Sequence, residues 1–531
     1  MPNKHSPFYP IIYVRGYAMT AGEIDQTTAD PFCGFNLGST VYRAVAEKDR
    51  QPRKFVFESP LIRLATDFGY RDVYENGYDI LDPEWQADTD SPLSSRSVII
   101  YRYYDEASRL LGIGKTPSLE AFSSQLGELI IKIRDLVCGN AANGIAAADF
   151  RCYLVAHSMG GLVCRGLLQN PKLDKRGAAK LVDKLFTYAT PHNGIELLGV
   201  NTPSWLSLND INNFSRDNLA KFLDLADAYK ATGRVDWLPE KRFPSEQVFC
   251  MVGSNRLDYE AALGLSRTFV GHGSDGLVRI ENATLRGLDA QGKECSQCAK
   301  AFTYRAHSGF FGIVNSEEAY QNLTRFLFGD VRVDLWLDID DIALPDELRK
   351  AEANGETVNA LYQIEVLASP RGKLWYLTRR TVEEDSVACL AHQDWKREPK
   401  KNSSLYLSTL ILANRARVNP RRRSLAYSLA LNIRVPDYEV ERRLWINQHF
   451  EGSYLFRNAL ILELVPPPAN DPDAWRFTFA WQNQGVSQAR EQLDAKALKN
   501  GKVEVKVPFD SGTRPGIKGQ LRFVVSTWNA D

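Results

Sequence analysis

The 531 residues balance 65 Lys and Arg against 65 Asp and Glu, and 44% of them are hydrophobic. Zero net charge removes the long-range field that draws a protein to nucleic acid or to an anionic membrane, so a charged partner has to be met by a local patch. The length suits two domains, and no run of about 18 apolar residues is present to span a membrane.

Met1 to Ile12 contain a Lys but no apolar core and no small-residue cleavage site, which does not read as a signal peptide. The eight cysteines are scattered, and the one tight pair, Cys295 and Cys298, is half of a zinc site at most. Plain thiols in a reducing cytoplasm are expected, and a protein exported without a leader would look the same.

From Pro10 to about Asp330, short apolar runs alternate with helical patterns, as in βαβ units around a mainly parallel sheet. The predicted strands are Ile11–Val14, Val98–Tyr103, Cys152–Ala156, Leu185–Ala189, Gln247–Val252 and Phe302–Arg305. Between the second and third, Thr116-Pro117 opens a helix with Leu119, Phe122, Leu126, Leu129, Ile130 and Ile133 on one face. Gly139 closes it. After the last strand, Asn315-Ser-Glu-Glu318 has the form of a capping box with Asn315 as the cap.

The densest chemical signal is Tyr153-Leu-Val-Ala-His-Ser-Met-Gly-Gly-Leu162, where an apolar strand runs into Ser158 and leaves through two glycines into a helical pattern. A nucleophilic serine on a strand-to-helix turn needs small residues two places to either side, and here they are Ala156 and Gly160. Serine also needs a base oriented by a carboxylate, and in this arrangement the chain order is Ser, acid, His. Of seven histidines, His307 alone lies after a strand and before the last helix of this region. Asp275, in Gly271-His-Gly-Ser-Asp-Gly-Leu-Val278, follows the Gln247–Val252 strand and is the preferred acid, with Glu281 as competitor.

The Ala-His-Ser-Met-Gly-Gly string resembles that of bacterial lipases, and the ordered set fits the lipase and inositol-deacylase-like branch of the α/β-hydrolases. The resemblance covers about 320 residues. It implies that Tyr17, in the loop after the first strand, and Met159 supply backbone oxyanion donors, with Arg15 standing where the lipases have His. It also implies that His192, in Thr190-Pro-His-Asn-Gly194, lines the site, as does His157 in the turn itself. No nucleotide, zinc or other cofactor motif is present, so neither cofactor nor metal is expected.

Two insertions, at about 20–96 and 195–243, are expected to form a cap. The second holds Trp205, Leu206 and Leu208, then a helix with Leu219, Phe222, Leu223, Ala226 and Tyr229 on one face. Such a cover, whether lid or fixed cap, favours an acyl ester over a sugar or peptide.

Beyond Val331 the period becomes two. Val331–Ile339, Tyr362-Ile364-Val366, Phe477-Phe479-Trp481 and Lys502–Val507 all alternate, so residues 331–531 are expected to form an antiparallel β-sandwich after a hydrolase domain at 1–330. Within it, Arg415, Arg417, Arg421, Arg422 and Arg423 read either as a solvated hairpin tip or as a patch for lipid phosphate. The expected activity is acyl-ester hydrolysis through an acyl-enzyme. A phospholipase, possibly exported, or a non-catalytic hydrolase-fold binding protein are the alternatives. The partners expected are an ester or lipid substrate and, for the C-terminal domain, a lipid or protein surface, without nucleic acid.

Overall fold

The computed structural model describes residues 8–16, 40–43, 53–56, 60–72, 93–101, 118–195, 215–257, 273–308, 312–399, 403–441, 448–468, 470–471, 474–482 and 491–529. Contacts divide the chain into two units, residues 1–300 with 305–323, and residues 301–304 with 324–531.

The first unit is organised by β1 (Ile11–Val14), β2 (Arg71–Asp72), β3 (Ser97–Tyr101), β4 (Cys152–His157), β5 (Val182–Tyr188), β6 (Val248–Gly253) and the start of β7 (Ala299–Thr303). Their order across the sheet is β2-β3-β1-β4-β5-β6-β7. The registered pairs from β2 to β6 are all parallel. Every residue of β1, β3, β4 and β6 is buried, which explains why these segments read as continuous apolar runs rather than alternating ones. The chain builds outward from β1 to β3 and then returns to add β4 on the other side. That reversal is a topological switch point, where an open parallel sheet forms its crevice at the carboxyl ends of the strands. The strand order, with the strand–turn–helix at β4, is that of an α/β-hydrolase core.

Helix α1 (Pro60–Phe68) precedes β2, and α2 (Leu119–Gly139) follows β3. Its cap is Ser118, whose Oγ accepts from Ala121 N at 3.3 Å, so the first turn begins just after the expected Thr116-Pro117. α3 (Met159–Gln169) follows β4 and is buried at every position, with Ser123 Oγ of α2 donating to Val163 O at 2.9 Å.

The expected cap helix is two short ones, α4 (Arg216–Phe222) and α5 (Ala226–Thr232). Asp224 sits at φ 56° between them and breaks the helical path, which leaves Ala226 exposed rather than on the buried face. Trp205, Leu206 and Leu208 lie outside the described residues. Helix α6 (Glu317–Phe328) is capped by Ser316, not Asn315, through Ala319 N at 3.2 Å.

In the second unit Val331–Ala343 lies between Ser404–Leu412 and Gly516–Thr527 in a five-stranded sheet, antiparallel to both. Thr357–Pro370, Leu425–Arg434 and Tyr454–Val465 are consecutive antiparallel strands of a nine-stranded sheet. Alternation is strict in Leu425–Arg434, where Leu425, Tyr427, Leu429, Leu431 and Ile433 point inward. They join Val333, Leu335 and Leu337 of the other sheet in one apolar core, which is a sandwich. Each such side chain contributes about 1.5–3 kcal/mol by leaving water.

Candidate active site

The site is built at the switch point, from the carboxyl ends of β1, β4 and β6 and from His307. Ser158 stands between the last residue of β4 and the first of α3 at φ 53°, ψ −129°, a backbone conformation that is strained for a residue with a Cβ. Its amide donates to Tyr188 O of β5 at 2.9 Å, which fixes the turn. The need for a small residue two places on has a specific cause, because a Cβ on Gly160 would fall onto the Val14 carbonyl of β1. Likewise a Cβ on Gly16 would meet the Ser158 side chain, so the β1 loop passes directly against the serine. Sheet and elbow can approach this closely only with glycine at both places.

His307 follows β7 and is buried. Its Nδ1–H donates to Asp275 Oδ2 at 2.9 Å, and Ser158 Oγ–H donates to its Nε2 at 2.9 Å. The tautomer follows from the carboxylate, which only accepts. Asp275, also buried, has its other oxygen Oδ1 held by Leu277 N at 3.0 Å and Val278 N at 2.8 Å. Its backbone carbonyl receives His307 N at 3.0 Å, so Asp275 and His307 are tied through main chain as well as side chain. Glu281, the competing acid, lies in the short 3-10 segment Ile280–Asn282 and pairs with Arg279 at 3.4 Å.

His157 is placed behind His307. Its Nε2–H donates to the His307 carbonyl at 2.8 Å, and the two rings lie 5.0 Å apart. Burial first, then the neighbouring His307 and Arg15, hold its pKa well below the usual 6.5, so it stays neutral and keeps that donor. Met159 heads α3, and its N–H is one of the first-turn donors that have no acceptor within a helix. Tyr17, the other expected oxyanion donor, lies outside the described residues.

His192 is buried, and its Nε2 shares a 3.1 Å hydrogen bond with Thr187 Oγ1 of β5. Its pKa is lowered by burial and by Arg165. Its carbonyl accepts from Arg165 Nη1 at 2.8 Å. Arg165 is the side chain whose part the sequence did not reveal. It lies two helical turns after Ser158, entirely buried, and also donates to Gln169 Oε1 at 2.7 Å and to the carbonyls of Val235 and Trp237 at 2.9 Å. Burial pushes its pKa down to about 10, and the full set of acceptors is what makes a buried guanidinium tolerable. Asn193 extends the lattice, bonding Asn282 Oδ1 at 2.9 Å through Nδ2 and accepting from Val235 N at 2.9 Å. An arginine inside the otherwise apolar Leu162–Leu168 pattern was the available signal. Asn170 Nδ2 donates to Phe222 O at 2.9 Å, which fastens α4 to the end of α3.

Among the described residues no group of three or more His, Cys, Asp or Glu side chains is placed to hold a metal, and the seven described cysteines are free thiols. No described helix is long and apolar enough to cross a membrane.

No protein-family model matches the chain, and no curated protein matches it. Solved structures similar to it include a lipase of Bacillus licheniformis, BlEst2 in mature form, at 14% identity and a TM-score of 0.32, spanning 62% of this chain and 94% of that one. Phospholipase PlaB from Legionella pneumophila is similar at 11% identity and a TM-score of 0.31, over 83% of this chain and 90% of that one. A putative cell surface hydrolase from Lactobacillus plantarum WCFS1 is similar at 11% identity and a TM-score of 0.22, over 60% of this chain and 90% of that one. At these values the likenesses carry no inference about activity.

Proposed function

We propose that the chain is a serine hydrolase of carboxylic esters, with residues 1–330 carrying the catalysis and residues 331–531 an accessory role. The observation that carries this reading is the continuous chain from Ser158 Oγ through His307 to Asp275, 2.9 Å at each step. In the proposed reaction His307 Nε2 takes the Ser158 proton as Oγ attacks the ester carbonyl, and Asp275 holds the ring and stabilises the imidazolium that forms. The Met159 amide, with the α3 dipole behind it, faces the developing oxyanion, and the β1 loop at Tyr17 supplies a second donor. His307 then gives the proton to the leaving alcohol, and water releases the acid from the acyl-enzyme by the same route in reverse.

Acyl lipids are the proposed substrate class, because the insertion at 195–243 is rich in apolar side chains, with Trp205, Leu206 and Leu208 in its sequence and Leu219, Phe222 and Leu223 buried, and an alkyl chain needs no charged group to bind it. Purified protein and Ser158→Ala assayed on p-nitrophenyl esters of increasing chain length test both parts. Turnover that rises with chain length and falls by roughly 10⁴-fold in the variant is expected. Turnover retained within tenfold in Ser158→Ala removes the assignment.

A further inference from the structure

Three loops of the nine-stranded sheet emerge side by side at one end. Pro370, the last residue of its strand, lies opposite Tyr427, and Leu425 lies opposite Leu464. The turn after Pro370, the loop before Leu425 and the proline-rich segment after Val465 are therefore neighbours. Hydrogen bonds tie them, from Arg371 N to Ala426 O at 3.0 Å and from Arg423 Nη2 to the Pro466 and Pro467 carbonyls at 3.3 Å.

The first loop exposes Arg371 and Lys373, and the second exposes Arg421, Arg422 and Arg423. Among the described residues none of these five cations has a carboxylate partner. Elsewhere in the same unit, exposed arginines do find one, as Arg349 and Arg514 do with Asp346 and Arg397 does with Asp394. Of the described acids near this end, Asp471 follows in the third loop and Glu463 lies opposite Ala426 on the adjoining strand. In a chain of zero net charge, five cations gathered in two neighbouring loops make a local positive patch. Leu374 and Val418 stand among the cations at 102% and 60% exposure, the two highest of the large exposed hydrophobic side chains described.

We propose that this loop end is a docking surface for an anionic lipid bilayer. The guanidinium and ammonium groups meet lipid phosphates, while Leu374 and Val418 enter the boundary between head groups and acyl chains. A nucleic acid or other polyanion would satisfy the cations and leave both apolar tips in water, whereas a bilayer takes up both kinds of group. The proposal includes no chemical step and stands independently of the ester-hydrolase reading.

The test is sedimentation of the full chain with vesicles of ether-linked lipids, which an esterase cannot cleave. Binding to phosphatidylcholine vesicles containing about 30% phosphatidylglycerol is expected at least tenfold above phosphatidylcholine alone, and it should fall as salt rises from about 0.1 M to 0.5 M. Each exposed cation carries roughly a fivefold effect, so Arg421→Glu with Arg422→Glu should weaken binding more than tenfold. Leu374→Ser with Val418→Ser should weaken it several-fold and leave heparin binding unchanged. Both variants should melt as the parent does and turn over soluble esters equally. Equal binding to neutral and anionic vesicles overturns the proposal, as does vesicle binding indifferent to Leu374 and Val418, which would mark a general polyanion site.

Discussion

The two units use β-structure in opposite ways. At the centre of the first unit's seven-stranded sheet, the strands are short, parallel and buried on both faces, as in Ile11–Val14 and Cys152–His157. In the second the core strands are long and antiparallel, and Leu425–Arg434 alternates buried and half-buried residues along its whole length. A strand buried on both sides leaves polar chemistry no room except at its ends. There the first unit concentrates its strained backbone and its buried Ser158, Asp275, His157 and His307. The alternating unit has an apolar inner face, and its unpaired charges lie in loops at a strand end, in the open. One region therefore gathers its buried polar groups at strand ends, and the other carries its unpaired charges in exposed loops.

The sharpest way to break that contrast is to remove one polar group at a strand end. His307→Ala and Asp275→Asn are each expected to lower kcat by about 10³–10⁴-fold while the melting temperature moves little, measured on a soluble ester with thermal denaturation in parallel. A loss of stability that accounts for the loss of rate would mean the residues serve packing instead.

Packing changes should divide the other way. Gly160→Ala drives a Cβ onto the Val14 carbonyl and is expected to cost about 3 kcal/mol of stability together with most activity. Leu429→Ala opens a cavity in the sandwich core and is expected to cost about 2–5 kcal/mol, with kcat of the folded protein within about twofold of the parent. Urea titration beside initial rates separates the two outcomes.

A smaller effect is expected behind the base. His157→Phe removes the donor to the His307 carbonyl and should lower kcat about tenfold with KM unchanged. His157→Gln can still donate there and should recover most of the rate, which a purely space-filling role would not predict.

How much of this was legible in the sequence depends on how local the cause is. The elbow at Ser158 announces itself because strand, small neighbours and helix are all adjacent in the chain. Asp275 and His307 were reachable because the order of strands constrains where an acid and a base can stand. The hold of His157 on the His307 carbonyl was not, since it joins residues 150 apart and needs the register of the sheet. Arg165 was hidden for the same reason, because its acceptors come from the cap segment and from the loop after β5. The break at Asp224 escaped the periodicity because hydrophobic spacing does not report one aspartate at positive φ. The neighbouring positions of Lys373, Leu374 and Arg421 likewise exist only through strand pairing.

The smallest expected effect is one of pH. Burial lowers the pKa of His157 and His192 in the first unit and of His392 in the second below the usual 6.5. The unfolded chain then takes up protons that the folded chain refuses, so stability is full above about pH 6.5 and declines as pH falls below it. The urea midpoint is expected to drop between about pH 7.5 and 5.5, and to drop less in His157→Gln. A midpoint that rises on acidification would show these histidines to be charged in the fold.

The most direct test of the central claim is mass spectrometry of the protein treated with a fluorophosphonate. The predicted result is one stoichiometric adduct on Ser158, absent in Ser158→Ala and formed far more slowly in His307→Ala. An unmodified Ser158, or an adduct on a different residue, would contradict it.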